Sequence, residues 1–129
     1  MKIAFVGNRK NLDNEGKSFN TEAHIAATFE TLGCEVDFIQ EDTIQPNQLV
    51  DRVRGSNMFF WVRTWEGFVT HEDLKAIRAL GIPSVNFHLD AFIGLQRENS
   101  LDTDPRWRCD FVFTADGDPR SAEIFKAKC

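Results

Sequence analysis

The sequence has no apolar segment close to the roughly 20 residues that a membrane-spanning helix needs. It also has no positively charged leader followed by an apolar stretch, because Lys2 runs directly into the strand-like residues 3–6. With 129 residues, 42% of them hydrophobic, the chain suffices for one domain with a core and is too short for two. We therefore expect a single cytoplasmic domain over residues 1–129, without a membrane span.

The sequence also has few cysteines and no excess of basic residues. The three cysteines, Cys34, Cys109 and Cys129, are odd in number, far apart and without C-x-x-C spacing, which argues against a disulfide framework and against structural zinc. No other residues have metal-ligand spacing, so we expect neither a metal nor a cofactor. The net charge is -5 with acids and bases interspersed, and nucleic acid is therefore not an expected partner.

The glycine-rich fingerprints of nucleotide-binding loops are missing as well. The turn at residues 7–10, GNRK, lacks G-x-G-x-x-G, and Gly16-Lys17-Ser18 has only the ending of G-x-x-x-x-G-K-[ST]. This disfavours dinucleotide-dependent oxidoreductases and nucleoside-triphosphate hydrolases. The loop that begins at Gly7 and Asn8 remains either a ligand-binding loop or a solvated surface loop.

The chain does contain a repeated switch between strand-like and helix-like hydrophobic periods. Strands are predicted at residues 3–6, 36–40, 58–62, 85–87 and 111–113, and helices at 21–32, 46–54, 70–80 and from 118 onward. Such alternation indicates a parallel sheet with right-handed crossovers. We expect an α/β fold, a Rossmann-like three-layer α/β/α sandwich with five parallel strands in the order 3-2-1-4-5.

Polar side chains follow the fourth predicted strand directly, at His88 and Asp90. In open α/β sheets, ligands bind at the carboxyl ends of the strands. In the expected order the first and fourth strands are neighbours at the switch-point crevice. Gly7 and Asn8 would then line one cleft with His88 and Asp90.

Other strand ends carry further candidate binding residues. Arg63 and Trp65 follow the third strand and offer a bidentate cation and an aromatic face for a sugar, although a lid or a partner contact is the alternative. Asp116 follows the fifth strand, in a position to cap the last helix. The remaining histidines, His24 and His71, lie on predicted helices, and we expect them at the surface.

Five segments occur in a characteristic order and spacing: KIAFVG at 2–7, the Ala-rich helix ending in Leu32-Gly33, ALGIPSV at 79–85, His88-Leu89-Asp90, and DFVFTADG at 110–117. Together they resemble the N-terminal half of GT-B-type glycosyltransferases. The likeness is closest to bacterial and phage members of the retaining group and their spore-associated relatives. It spans essentially the whole chain.

The resemblance implies two facing Rossmann-like halves, the first holding mainly the acceptor and the second, absent from this sequence, holding the nucleotide-sugar donor. It implies that His88 contacts the donor sugar, which makes it the candidate catalytic residue, and that the turn containing Asp116 lines the cleft. Asp90 would bond a hydroxyl, orient His88 or cap residues 91–93; no catalytic base is assigned to it, because retaining transfer relies more on the departing phosphate. The acceptor is unidentified, and the isolated chain is expected to be inactive.

A function of another class is compatible with the same sequence. A stand-alone Rossmann-like or flavodoxin-like module could bind a small ligand or a protein partner without catalysis. The short chain and the missing fingerprints favour this alternative.

Overall fold

A computed structural model describes residues 1–10, 15–17, 20–45, 48–62, 68–91, 93 and 98–128. The strands are β1 (Lys2–Gly7), β2 (Glu35–Gln40), β3 (Met58–Val62), β4 (Ser84–His88) and β5 (Phe111–Thr114). The helices are α1 (Thr21–Thr31), α2 (Leu49–Val53), α3 (His71–Ala79) and α4 (Pro119–Lys128). Short 3₁₀ turns occupy Glu41–Thr43, Glu98–Ser100 and Pro105–Arg108.

The strands and helices follow the predicted alternation, and their ends have local causes. Gly33 and Gly81 follow α1 and α3 with positive φ of 81° and 72°, a conformation that glycine adopts without strain at a helix C-terminus. Thr70 and Asp73 form a reciprocal capping box at the start of α3. The α2 helix begins at Leu49, and the predicted start at Pro46 lies outside the described residues.

All strands pair in parallel, in the order β2-β1-β3-β4-β5. The α/β Rossmann-like class is confirmed, but the predicted order 3-2-1-4-5 is wrong because β3, not β4, pairs with β1. The physical reason lies in the strands' composition. β3 reads MFFWV and is buried on both faces, as a central strand must be, whereas β2 reads EVDFIQ and is partly exposed, as an edge strand can be.

Two apolar cores lie on opposite faces of the sheet, because successive side chains of a strand alternate between faces. On one face Phe5 and Phe60 pack with Ala26 and Phe29 of α1. On the other, Ala4, Val6, Phe59 and Trp61 pack with apolar residues of α2 and α3, among them Leu49, Val53, Leu74 and Ile77. The chain therefore forms three layers, with the carboxyl ends of all strands along one edge.

A third cluster joins the last helix to the sheet. Trp107 and Leu101 are buried there, and Ile124 and Phe125 of α4 pack against them together with Val112 of β5. The Trp107 and Phe125 rings lie 4.8 Å apart. Since Val112 also contacts the core beneath α2 and α3, α4 lies on that same face of the sheet.

Candidate functional site

The corrected strand order changes which residues meet at the carboxyl edge. β3 separates β1 from β4, so Gly7 and His88 lie two strand spacings apart, roughly 10 Å. The topological switch point of this order lies between β1 and β3. The predicted cleft between the first and fourth strands is therefore absent from the described fold.

The loop after β1 is held to neighbouring elements by hydrogen bonds. Asn8 Oδ1 accepts from Gln40 Nε2 at 3.1 Å, and the Asn8 carbonyl accepts from Asn20 Nδ2 at 2.9 Å. A Cβ atom at Gly7 would lie 3.0 Å from Glu22 of α1, so glycine permits close packing of the helix there. These contacts give both residues a structural role, and ligand binding by Gly7 and Asn8 stays a prediction.

His88 is buried, with 1% of its surface exposed, and both of its ring nitrogens are engaged. Nδ1 lies 2.7 Å from the Asp90 carbonyl oxygen, and Nε2 lies 3.1 Å from Nη1 of Arg106. A carbonyl only accepts and a guanidinium only donates, so the imidazole is neutral with its proton on Nδ1. His88 thus connects the end of β4 to the Pro105–Arg108 turn.

Arg106 continues this connection to Asp104. Its Nε donates to Asp104 Oδ2 at 2.7 Å, its Nη2 pairs with the same carboxylate, and the Arg106 side chain is almost fully buried. Trp107 stacks on the His88 ring with centroids 5.2 Å apart. Burial lowers the pKa of His88; the hydrogen bond to the Asp90 carbonyl opposes this, and the charge of Arg106 lowers the pKa further.

Asp90 and Asp116 follow β4 and β5. Asp90 is exposed and holds His88 through its backbone carbonyl. Asp116 accepts from the Ile93 backbone N–H at 2.8 Å and from the Thr114 hydroxyl at 2.7 Å, while Asp118 caps α4. Binding by either aspartate stays a prediction.

The third-strand candidates are Arg63 and Trp65, and both lie outside the described residues.

A cavity of about 350 Å³ opens at the carboxyl edge beside β3. Its wall consists of Trp61, residues 69–72 at the start of α3, and the segment containing Ser100 and residues 103–106. The volume is at the lower end of the range for small-molecule sites. Asp104 and Arg106 belong to this wall, and Arg106 is hydrogen-bonded to His88.

His71, expected at the surface, lines this cavity. Its Nε2 lies 2.8 Å from the Thr103 carbonyl oxygen and therefore carries the proton, which leaves the Nδ1 lone pair as a hydrogen-bond acceptor. The sequence contained a feature that places His71 at the ligand-binding edge. His71 follows Thr70 of the capping box, and a helix that begins after a parallel strand begins at the ligand-binding edge.

Trp61 Nε1 and Asn86 Oδ1 are both buried without a partner among the described residues, and of the two side chains Trp61 lines the cavity and Asn86 does not. Trp61 and Asn86 are register partners on β3 and β4, with side chains on the same face, and Asn86 Nδ2 donates to the Trp61 carbonyl at 3.1 Å. An unsatisfied buried donor or acceptor costs about 1–3 kcal/mol. The orphan N–H and the orphan oxygen are thus a donor and an acceptor on paired residues of the same sheet face.

Within the part of the chain that the structure describes, no group of three or more His, Cys, Asp or Glu side chains could hold a metal ion. No described helix is long and apolar enough to cross a membrane.

Comparison with known proteins defines a fold and no family. The α/β Rossmann-like fold is shared with the crystal structure of a conserved protein from Enterococcus faecalis V583, at a TM-score of 0.52 and 13% sequence identity. The match covers 99% of this chain and 98% of that chain. No family model matches the sequence, and no curated protein matches it.

Proposed function

We propose that this chain is the acceptor-side domain of a cytoplasmic glycosyltransferase that moves a sugar from a nucleotide-sugar donor to an acceptor. The main support is the cavity at the carboxyl edge, where Thr70, His71 and Thr103 offer hydrogen-bonding groups of the kind that hydroxyl-rich ligands need. The second support is the sequence resemblance, whose matching segments at the ends of β1, β4 and β5 belong to this edge. The donor-binding half would lie outside this sequence.

In this proposal His88 is a positioning residue. Its contacts with Arg106 and Trp107 hold the Pro105–Arg108 turn, and Asp104 and Arg106 of that region form part of the cavity wall. Direct contact of His88 with a donor sugar would require these hydrogen bonds to open.

The test compares the natural polypeptide that contains this sequence with the 129-residue chain alone. Both are incubated with UDP-, GDP- and dTDP-sugars and a small-molecule extract as the acceptor source, and nucleoside diphosphate release is measured. We expect release by the natural polypeptide only, and at least tenfold slower release in its Asp104→Asn variant, because that change weakens the pair with Arg106. His24→Gln, on the exposed face of α1, is the matched control and should not change the rate.

The second candidate function is a non-catalytic module that binds a small ligand. Two observations favour it: both ring nitrogens of His88 are occupied, and the fold spans nearly the whole of the Enterococcus faecalis chain. If the natural polypeptide releases no nucleoside diphosphate from any donor while the cavity still binds a small molecule, this candidate replaces the transferase.

A further inference from the structure

The wall of the cavity beside β3 restricts the chemistry of its ligand. The described residues that line it include one cation, Arg106, and two carboxylates, Glu72 and Asp104. Arg106 is bound to Asp104 and His88, so its charge is already compensated. The Arg106–Asp104 pair is neutral as a whole, so among the described lining residues a phosphate or carboxylate group in the cavity would face the Glu72 carboxylate without an uncompensated cation.

The buried polar pair at Trp61 and Asn86 points to the group that fits. A hydroxyl can accept from the Trp61 Nε1–H and donate to Asn86 Oδ1, whereas an ionised carboxylate can only accept. His71 Nδ1 adds a second acceptor at the cavity wall for another hydroxyl. The volume of about 350 Å³ suits one ring and is small for a complete nucleotide sugar.

We infer that this cavity binds one uncharged, hydroxyl-bearing ring, a single sugar or a comparable polyol, with Trp61, Asn86 and His71 as its specificity-determining residues. The inference deepens the proposed function and rests on it in taking this ring to be part of the acceptor. Trp61 Nε1 is closed to water in the free protein, so the ring must displace part of the wall to reach it. Anionic sugars are the class that the site rejects.

The indole N–H signals of the ¹⁵N-labelled 129-residue chain provide a direct test. The chain has three tryptophans, and Trp61→Phe identifies the signal of Trp61 by its loss. We expect D-glucose, D-mannose, N-acetylglucosamine or myo-inositol to shift that signal in a saturable way. Glucose 6-phosphate and D-glucuronate should bind at least tenfold more weakly.

Variants separate recognition from folding. His71→Gln keeps a donor for the Thr103 carbonyl and moves the acceptor from the ring Nδ1 to the amide Oε1, so we expect about fivefold weaker binding, the value of one hydrogen bond, with an otherwise unchanged spectrum. Trp61→Phe should weaken binding by a similar factor, measured by the shifts of backbone amides at the start of α3. His24→Gln should leave affinity unchanged.

The inference is overturned if none of the four uncharged compounds shifts the Trp61 signal, or if the anionic sugars bind as tightly. It is also overturned if His71→Gln binds like the wild type, because the His71 Nδ1 acceptor would then have no part in recognising the ring. Saturable ring binding without any sugar transfer by the natural polypeptide would remove the proposed transferase and leave the inference standing. Sugar transfer that is insensitive to changes at Trp61 and His71 would remove the inference and leave the proposed transferase standing.

Discussion

At the scale of single residues, His88 is buried with both ring nitrogens engaged and its ring stacked on Trp107, and we expect its loss to weaken the whole fold. His88→Ala removes the partner of Arg106 Nη1 and of the Asp90 carbonyl and leaves a hole beside Trp107. The free energy of unfolding should fall by about 2–4 kcal/mol, from the lost packing and the unsatisfied groups. Urea denaturation measures this, with His24→Ala as the exposed control. A loss below that of the control would show that the contacts contribute little.

The same histidine should make stability depend on pH. Burial lowers the pKa of folded His88 below the value near 6.5 of an unfolded histidine, so between the two values only the unfolded chain takes up a proton. The His88 contribution to stability is therefore complete above about pH 6.5 and is lost as the pH falls toward the lowered pKa. Burial raises the pKa of Glu22, so at lower pH the Glu22 carboxyl favours the folded chain as the pH falls, opposite to His88. The Glu22 contribution is the same in the wild type and in a variant that lacks His88.

Urea denaturation of wild type and His88→Gln between pH 5 and 8 isolates this contribution, because glutamine does not titrate. We expect the difference in unfolding free energy between the two proteins to shrink as the pH falls. A difference that stays constant over this range would show that the pKa of His88 is the same in the folded and the unfolded chain.

Among the helices, α3 connects stability to the cavity, because its first turn forms part of the wall. The Thr70 hydroxyl accepts from the Asp73 backbone N–H at 3.1 Å, and Asp73 Oδ2 accepts from the Thr70 backbone N–H at 2.9 Å. Thr70→Ala removes the cap and should lower the free energy of unfolding by about 1 kcal/mol. Thr28→Ala, at an exposed position within α1, is the matched control and should be neutral or slightly stabilising. Equal effects at both positions would contradict a capping role.

The strands and helices were predictable because each is encoded locally, by apolar periodicity, by Gly33 and Gly81, and by the Thr70 capping box. The predicted strand order is wrong, although the acidic residues of β2 and the unbroken apolar run of β3 distinguish an edge strand from a central strand. The candidate site was harder to predict from the sequence, because it depends on contacts between segments that are distant along the chain. The Arg106 contact with His88 spans 18 residues, and the His71 contact with Thr103 spans 32.

For the molecule as a whole, the face of β5 that carries Phe111 and Phe113 is a described surface that favours self-association. β5 is an edge strand that pairs with β4, and its Phe111 and Phe113 are 59% and 55% exposed. Both lie on the face opposite Val112, whereas α4 packs on the Val112 face. Among the described residues, α1 is the helix on the Phe113 side, and it packs near Phe5 and Phe60.

An exposed edge strand carrying large apolar side chains favours edge-to-edge pairing and face-to-face contact. We expect the wild-type chain to self-associate with increasing concentration in sedimentation equilibrium, and the double variant Phe111→Thr, Phe113→Thr to remain monomeric. Threonine keeps the β-propensity of the strand, so the free energy of unfolding should change by less than about 1 kcal/mol. Phe68→Thr, at a partly exposed phenylalanine before α3, is the control and should associate like the wild type. A wild-type chain that stays monomeric at millimolar concentration would mean that the right-handed twist and the short length of β5 protect this edge despite its phenylalanines.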